Sequence, residues 1–313
     1  MKRTLLRPPM LDGLRVSVLA AMLASPALAQ ESGDPIKMIL NDWTGQLISA
    51  QIMGEALKRE GYNVEYVQAD AMAEFVGLKS GDLHVAMEIW STTQKDLFDE
   101  AVASGQVENM GESGMQAREE WWYPLYMKEQ CPGLPDWTAL LEPDCVAAFS
   151  TPETAPKGRY LGAPVTWGGF DEERVEALSL DFEVIHAGTD AALFAELESA
   201  YQRKAPIILW VYSPHWVPAV YEGEYVEFPP FTPECYAEER YDCGKPQGPI
   251  WKAAWGGLAE KWPRAHTAIG NFSLSSEESN ALIQRVDVDK QPLETVVTEW
   301  LDQNESRWKA WFQ

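Results

Sequence analysis

Positive charge is what this chain has least of. Lys and Arg number 25 against 48 Asp and Glu, for a formal net charge of -23. Nucleic acid and anionic membrane both reward Lys and Arg, so both are excluded as partners. Long apolar runs are missing too. No stretch approaches the roughly 20 residues a membrane helix requires, and Val16 to Leu23 is only a short apolar run. Its setting is that of an export signal. Lys2, Arg3, Arg7 and Arg15 make a basic start, and Ala27-Leu28-Ala29 is a small-x-small cleavage site. Residues 1–29 are therefore expected to be a signal peptide, cleaved near Ala29. The mature chain would be soluble and periplasmic, beginning near Gln30 or Glu31. Four basic residues and one acid leave with the signal, so the mature chain carries about -26.

Cysteine is sparse as well, with four residues in two close pairs, Cys131 with Cys145 and Cys235 with Cys243. In an exported chain an even count favours two local disulfides. Zinc is the rival, but there is no Cys-x-x-Cys, and His84, His186, His215 and His266 are scattered. No metal and no cofactor are expected. Catalytic signatures are missing in turn: no Gly-x-Ser-x-Gly elbow, no phosphate-binding Gly-rich loop, no His-Glu-x-x-His. Ser213-Pro214-His215 is not a triad. Glu119-Glu120 and Asp171-Glu172-Glu173 are the only candidates for glycosidase carboxylates, and neighbouring acids more commonly form a solvated face.

What the chain does have is aromatic residues, including 14 Trp, at recurring places. The stretch 205–212 reads as a buried strand that Ser213-Pro214 stops, which leaves Tyr212 at its carboxyl end. Trp43 follows a strand over 36–40, Trp90 ends one over 84–89, and Trp167 follows 160–163. Ligands of open α/β sheets sit outside the carboxyl ends of strands. Any one of these rings alone reads as core; the set reads as a cage lining a cleft. Helices over 47–59, 71–79, 93–104, 171–178 and 191–202 alternate with strands over 63–68 and 182–186, implying a largely parallel sheet covered on both faces. Residues 121–126 read as an extended crossover, 226–248 as a Pro-rich loop, and 276–311 as helical.

Aromatic faces hold sugars or cations, and an aromatic cage is the recurring solution for quaternary ammonium groups, at about 0.5–2 kcal/mol per ring. A carbohydrate-binding transport protein is the alternative. Few basic residues lie near these rings, and a sugar cleft normally adds many hydrogen-bonding side chains.

Gly61-Tyr62-Asn63-Val64-Glu65, Ser80-Gly81-Asp82-Leu83, Glu88-Ile89-Trp90, Trp167-Gly168-Gly169 and Tyr212-Ser213-Pro214-His215-Trp216 occur in that order. Over 36–311 the chain resembles the periplasmic substrate-binding proteins of glycine betaine, proline betaine and choline ABC transporters, with their trimethylamine N-oxide-binding relatives. The resemblance implies an α/β, two-lobe venus-flytrap fold with ligand in the interlobe cleft. Lobe one would be 31–124 with 248–313, and lobe two 125–247. It implies cage roles for Trp90 and Trp167, with Tyr212 where the family more often has Trp. Trp43 matches a first-lobe aromatic, and Trp122 or Tyr123 falls near another. Gly168 and Gly169 match a turn whose N–H groups hold a ligand carboxylate. Gln94 stands where some betaine binders use a basic or His side chain, and Glu119 or Glu120 is the acidic contact expected instead. A small trimethylated amine and a membrane permease are the implied partners, and the protein is expected to be a monomer that catalyses nothing.

Overall fold

Among the described residues there are ten strands: β1 (Ile36–Leu40), β2 (Val64–Gln68), β3 (Val85–Trp90), β4 (Val107–Pro124), β5 (Pro132–Pro135), β6 (Gly158–Gly162), β7 (Phe182–His186), β8 (Leu209–Ser213), β9 (Gly223–Tyr225) and β10 (Gln247–Trp255). They come from a computed structural model that describes Met1 and residues 31–313. The export signal expected over 1–29 lies, Met1 apart, outside the described residues. Ser32–Gln313 makes one compact unit. Among the described residues, nine strands join one sheet in the order β2-β1-β3-β10-β4-β8-β6-β7, with β9 paired to β4. β3 is buried at every position, as a strand covered on both faces must be.

The sheet has two parallel wings and an antiparallel middle. β1 runs parallel to β2 and β3, and β6 parallel to β7 and β8. Between the wings, β10 and β4 run antiparallel to their neighbours. The largely parallel sheet expected from the alternation is thus corrected to a mixed one. The reason lies in β4, 18 residues long. Its first part carries Gly111 and Gly114 at φ of 83° and 92°, which break the alternation that marks a strand. β4 pairs with β10 up to Arg118 and with β8 from Arg118 onward, so this one strand joins both wings.

The helices follow their apolar spacing. Thr44–Arg59 buries Ile48, Ile52, Met53, Ala56 and Leu57, and carries Lys58 and Arg59 where the helix dipole favours cations. Gly61, at φ 93°, turns the chain out, and the Tyr62 N–H returns to the Leu57 carbonyl at 3.1 Å. Behind this helix pack Ser276–Asp287, started by a capping box of Ser275 and Glu278, and Leu293–Gln303. The helical stretch expected over 276–311 is three helices, the last Glu305–Ala310. No helix of the described residues is long and apolar enough to cross a membrane.

Cys131 is bonded to Cys145, and Cys235 to Cys243. Peptide mapping of unreduced protein should recover those two pairs. Replacing Cys131 and Cys145 by Ser, at a separation of 14 residues, should lower the unfolding free energy in urea by about 3 kcal/mol.

Candidate functional site

Four rings meet where the strand ends of the two wings face each other. Trp43 sits just past β1, in extended backbone at the start of Thr44–Arg59. Trp90 is the last residue of β3, Trp167 ends a tight turn after β6, and Tyr212 is next to last in β8. Their centroids form a closed circuit: Trp43 to Trp90 6.5 Å, Trp90 to Tyr212 5.4 Å, Tyr212 to Trp167 5.8 Å, and Trp167 to Trp43 5.4 Å. Successive planes cross at 83°, 89°, 77° and 70°. Perpendicular neighbours in a circuit make a box. Its sides put the centre on the order of 4 Å from each ring, inside the ~6 Å reach of a cation–π contact.

Every wall is pinned from outside by a carboxylate. Glu88 Oε2 accepts from Trp43 Nε1 at 2.9 Å and from Trp90 Nε1 at 3.2 Å, while Ser49 donates to Oε1 at 2.8 Å. Trp167 Nε1 donates to Asp42 at 2.7 Å, and the Tyr212 hydroxyl to Asp190 at 2.8 Å. Burial pushes the Glu88 carboxyl up and that of Asp190 up to about 8, against the pull of these donors. Glu88 was legible in sequence, because residues two apart on a strand share a face and Trp90 follows it by two. Asp42 and Asp190 carried no such signal, since the rings they hold lie far along the chain.

The four rings, with Ala71, Thr93, Gln94 and Glu119, line a small, partly open cavity. Gln94 lines it with its polar atoms already used. Its Oε1 accepts from the Trp90 N–H at 2.7 Å, and its Nε2 donates to the Ala71 carbonyl and to Glu74. Glu119 is different. Its Oε2 is buried with no hydrogen-bond partner. Burial pushes this carboxyl up to about 7, against weaker downward pulls from the Thr92 hydroxyl and the Lys245 charge.

Other expected contacts fall elsewhere. Glu120, adjacent on β4, points to the opposite face. There it pairs with Arg174 and accepts the Lys245 N–H at 2.9 Å. Trp122 is corrected to core: it is 1% exposed, and a Cβ on Gly223 would collide with its ring. Tyr123 is fully buried, with its hydroxyl on Glu224 at 2.9 Å. Gly168 and Gly169 shape the Trp167 turn rather than line the cavity. The Gly168 N–H is spent on the Val165 carbonyl at 3.2 Å, and the Gly169 carbonyl accepts Lys245 Nζ. At Gly169, φ 145°, a Cβ would come within 2.6 Å of the Trp210 ring.

An α/β fold whose strand ends gather rings around a small cavity, with the polar atoms of those rings tied outward, has the form of a small-ligand binding protein. Solved structures share the architecture. Lactococcal OpuAC, closed-liganded with glycine betaine, is 17% identical over 90% of this chain and all of that one, at a TM-score of 0.70. A choline-binding protein of an ABC transporter, in complex with choline, is 16% identical over 88% of this chain and 91% of that one, also at 0.70. These are two-lobe periplasmic binding proteins, and this chain has their fold. Residues 34–303 match the substrate-binding domain of the ABC-type glycine betaine transport system, and the chain belongs to that family. The trimethylamine N-oxide-binding protein of Pelagibacter ubique is 33% identical over 309 residues, 96% of each chain.

The core position of Trp122 is testable. Trp122→Ala should lose about 3–5 kcal/mol in urea unfolding, whereas its folded fraction should keep whatever ligand affinity the wild type has, measured by calorimetry.

Proposed function

We propose that this protein is the periplasmic receptor that captures a small trimethylated amine, trimethylamine N-oxide foremost and choline next, for an ABC permease. The trimethylated head sits in the Trp43, Trp90, Tyr212 and Trp167 box, and the polar end meets Glu119. One observation carries this: a closed aromatic box with a single buried, unpartnered carboxyl oxygen in its lining. The lobes of the flytrap are taken as 31–124 with 248–313, and 125–247, each contributing two walls. Closing them on ligand presents the surface a permease reads. The protein works as a monomer and performs no reaction.

The polar end decides between ligands. A carboxylate wants a free cation, but Lys245 is held by the Gly169 carbonyl and by Asp171 at 3.3 Å, and Arg174 by Glu120. An N-oxide oxygen is a compact acceptor, so a protonated Glu119 can donate to it. Choline, a cation with a hydroxyl, instead favours the ionised carboxylate. Four rings at about 0.5–2 kcal/mol each supply several kcal/mol. With so few non-hydrogen atoms, trimethylamine N-oxide is capped near about 7.5 kcal/mol, a dissociation constant in the low micromolar range. A sugar fits less well, because walls at right angles offer no extended face beside such a small cavity.

Calorimetry on wild type should find trimethylamine N-oxide or choline bound at least as tightly as glycine betaine. Trp90→Ala and Trp167→Ala should each weaken binding by about tenfold or more, several tenths to all of the worth of one ring. Tightest binding by glycine betaine, unchanged in Glu119→Gln, would return the site to a carboxylate-binding pattern.

The pH dependence has a sign for each ligand. Glu119 must carry a proton to donate to the N-oxide, and its carboxyl titrates at about 7. N-oxide affinity should therefore be full below that pH and fall by up to tenfold per unit above it. Choline should show the reverse, weakening as pH drops through the same range. Titrations from about pH 5 to about pH 9 (about two units either way of the carboxyl) should give opposite slopes, both flattened in Glu119→Gln.

A further inference from the structure

One titratable cluster lies outside the box. Asp190, His215 and Asp287 bring two carboxylate oxygens and a ring nitrogen within 4.8 Å of one another. Two acids and a histidine would ordinarily point to a divalent cation. The hydrogen bonds point elsewhere. His215 Nδ1 accepts from the Val217 N–H at 3.4 Å, which puts the ring hydrogen on Nε2. Burial pushes the ring down to about 3, so it carries one hydrogen only. Nε2 is thus a donor and not a metal ligand. It is buried, unpartnered, and stands 4.0 Å from Asp287 Oδ2.

Asp287 joins the two sides of the cleft. It ends Ser276–Asp287, on the side of Trp43, where the Thr44 hydroxyl donates to its Oδ1 at 2.7 Å. From the other side Trp216 Nε1 donates to Oδ2 at 3.1 Å. Trp216 and His215 belong to the same short segment as Tyr212, a wall of the box. The His215 ring lies 4.5 Å from Tyr212 and stacks on Phe194 at 4.1 Å. Movement of that wall therefore moves both donors. Another bond across the cleft, Trp167 to Asp42, uses a box ring, whereas Trp216 and Asp287 lie outside the cavity lining.

We propose that Asp287 is a latch: it holds the cleft shut by accepting the Trp216 N–H, and takes the His215 Nε2–H as well when a ligand draws Tyr212 inward. This rests on reading the box as the ligand site. Asp287 and Trp216 are positioning residues, which set how long the ligand stays without touching it.

Asp287→Leu and Trp216→Phe stay close in size and remove the acceptor and the donor of this bond. Stopped-flow fluorescence with trimethylamine N-oxide should show dissociation faster by about tenfold in each, with association within about twofold of wild type. The double variant should dissociate no faster than the faster single, because both remove one bond. A rate unchanged in both singles, or additive effects in the double, would overturn the latch. Small-angle scattering of ligand-free protein gives a reading independent of the box: Asp287→Leu should have a larger radius of gyration than wild type, and an equal radius would also overturn it. Should wild type bind none of trimethylamine N-oxide, choline and glycine betaine, the box fails as the site, and scattering alone decides the latch.

Discussion

The site depends on hydrogen bonds that point away from it. An indole or phenol ring presents a clean face to a cavity only when its N–H or O–H has a partner elsewhere. Here Glu88, Asp42 and Asp190 take those groups from behind, so the rings are left to line the cavity. Bonds to carboxylates are worth about 1.5–3 kcal/mol each when the acceptor is charged. They hold the rings in place before any ligand arrives, which removes part of the ordering cost of about 0.5–1.5 kcal/mol per side chain that binding otherwise carries.

Glu88 shows how tightly this is built. One oxygen serves two indoles from two strand ends, and the other takes Ser49 from the helix between them. Three elements are thereby tied to one carboxylate. On the far side of the cleft the same economy appears with cations. Lys245 lies over the Trp210 ring at 4.2 Å and within reach of Asp171, which also accepts from Trp121 Nε1 at 2.8 Å and from the Tyr160 hydroxyl at 3.5 Å. Buried ions must be paired or they cost several kcal/mol. Lys245 and Arg174 are each held by an acid on that side, Asp171 and Glu120, while Glu119 lines the cavity.

Much of this was visible in the chain itself. Trp43, Trp90, Trp167 and Tyr212 could be singled out because each closes a strand, and strand ends are where an α/β sheet opens to ligands. β7 falls on 182–186, the span expected for it. Trp122 misled because an aromatic in a crossover strand looks the same whether its ring meets a cavity or Gly223. β4 was only partly read, since its glycines and charged residues mask a strand that is held by partners on both sides rather than by its own pattern.

Composition, periodicity and the placing of aromatics at strand ends determined the class of fold, the disulfide pairs and the four walls of the box. All are local properties, set by residues within a few positions of one another. Tertiary structure alone decided which way Glu119 and Glu120 face, that Asp42 holds a ring 125 residues away, and that Asp287 meets Trp216 across the cleft. Those contacts join residues that share no local pattern, and only the packing of one wing of the sheet against the other brings them within a hydrogen bond.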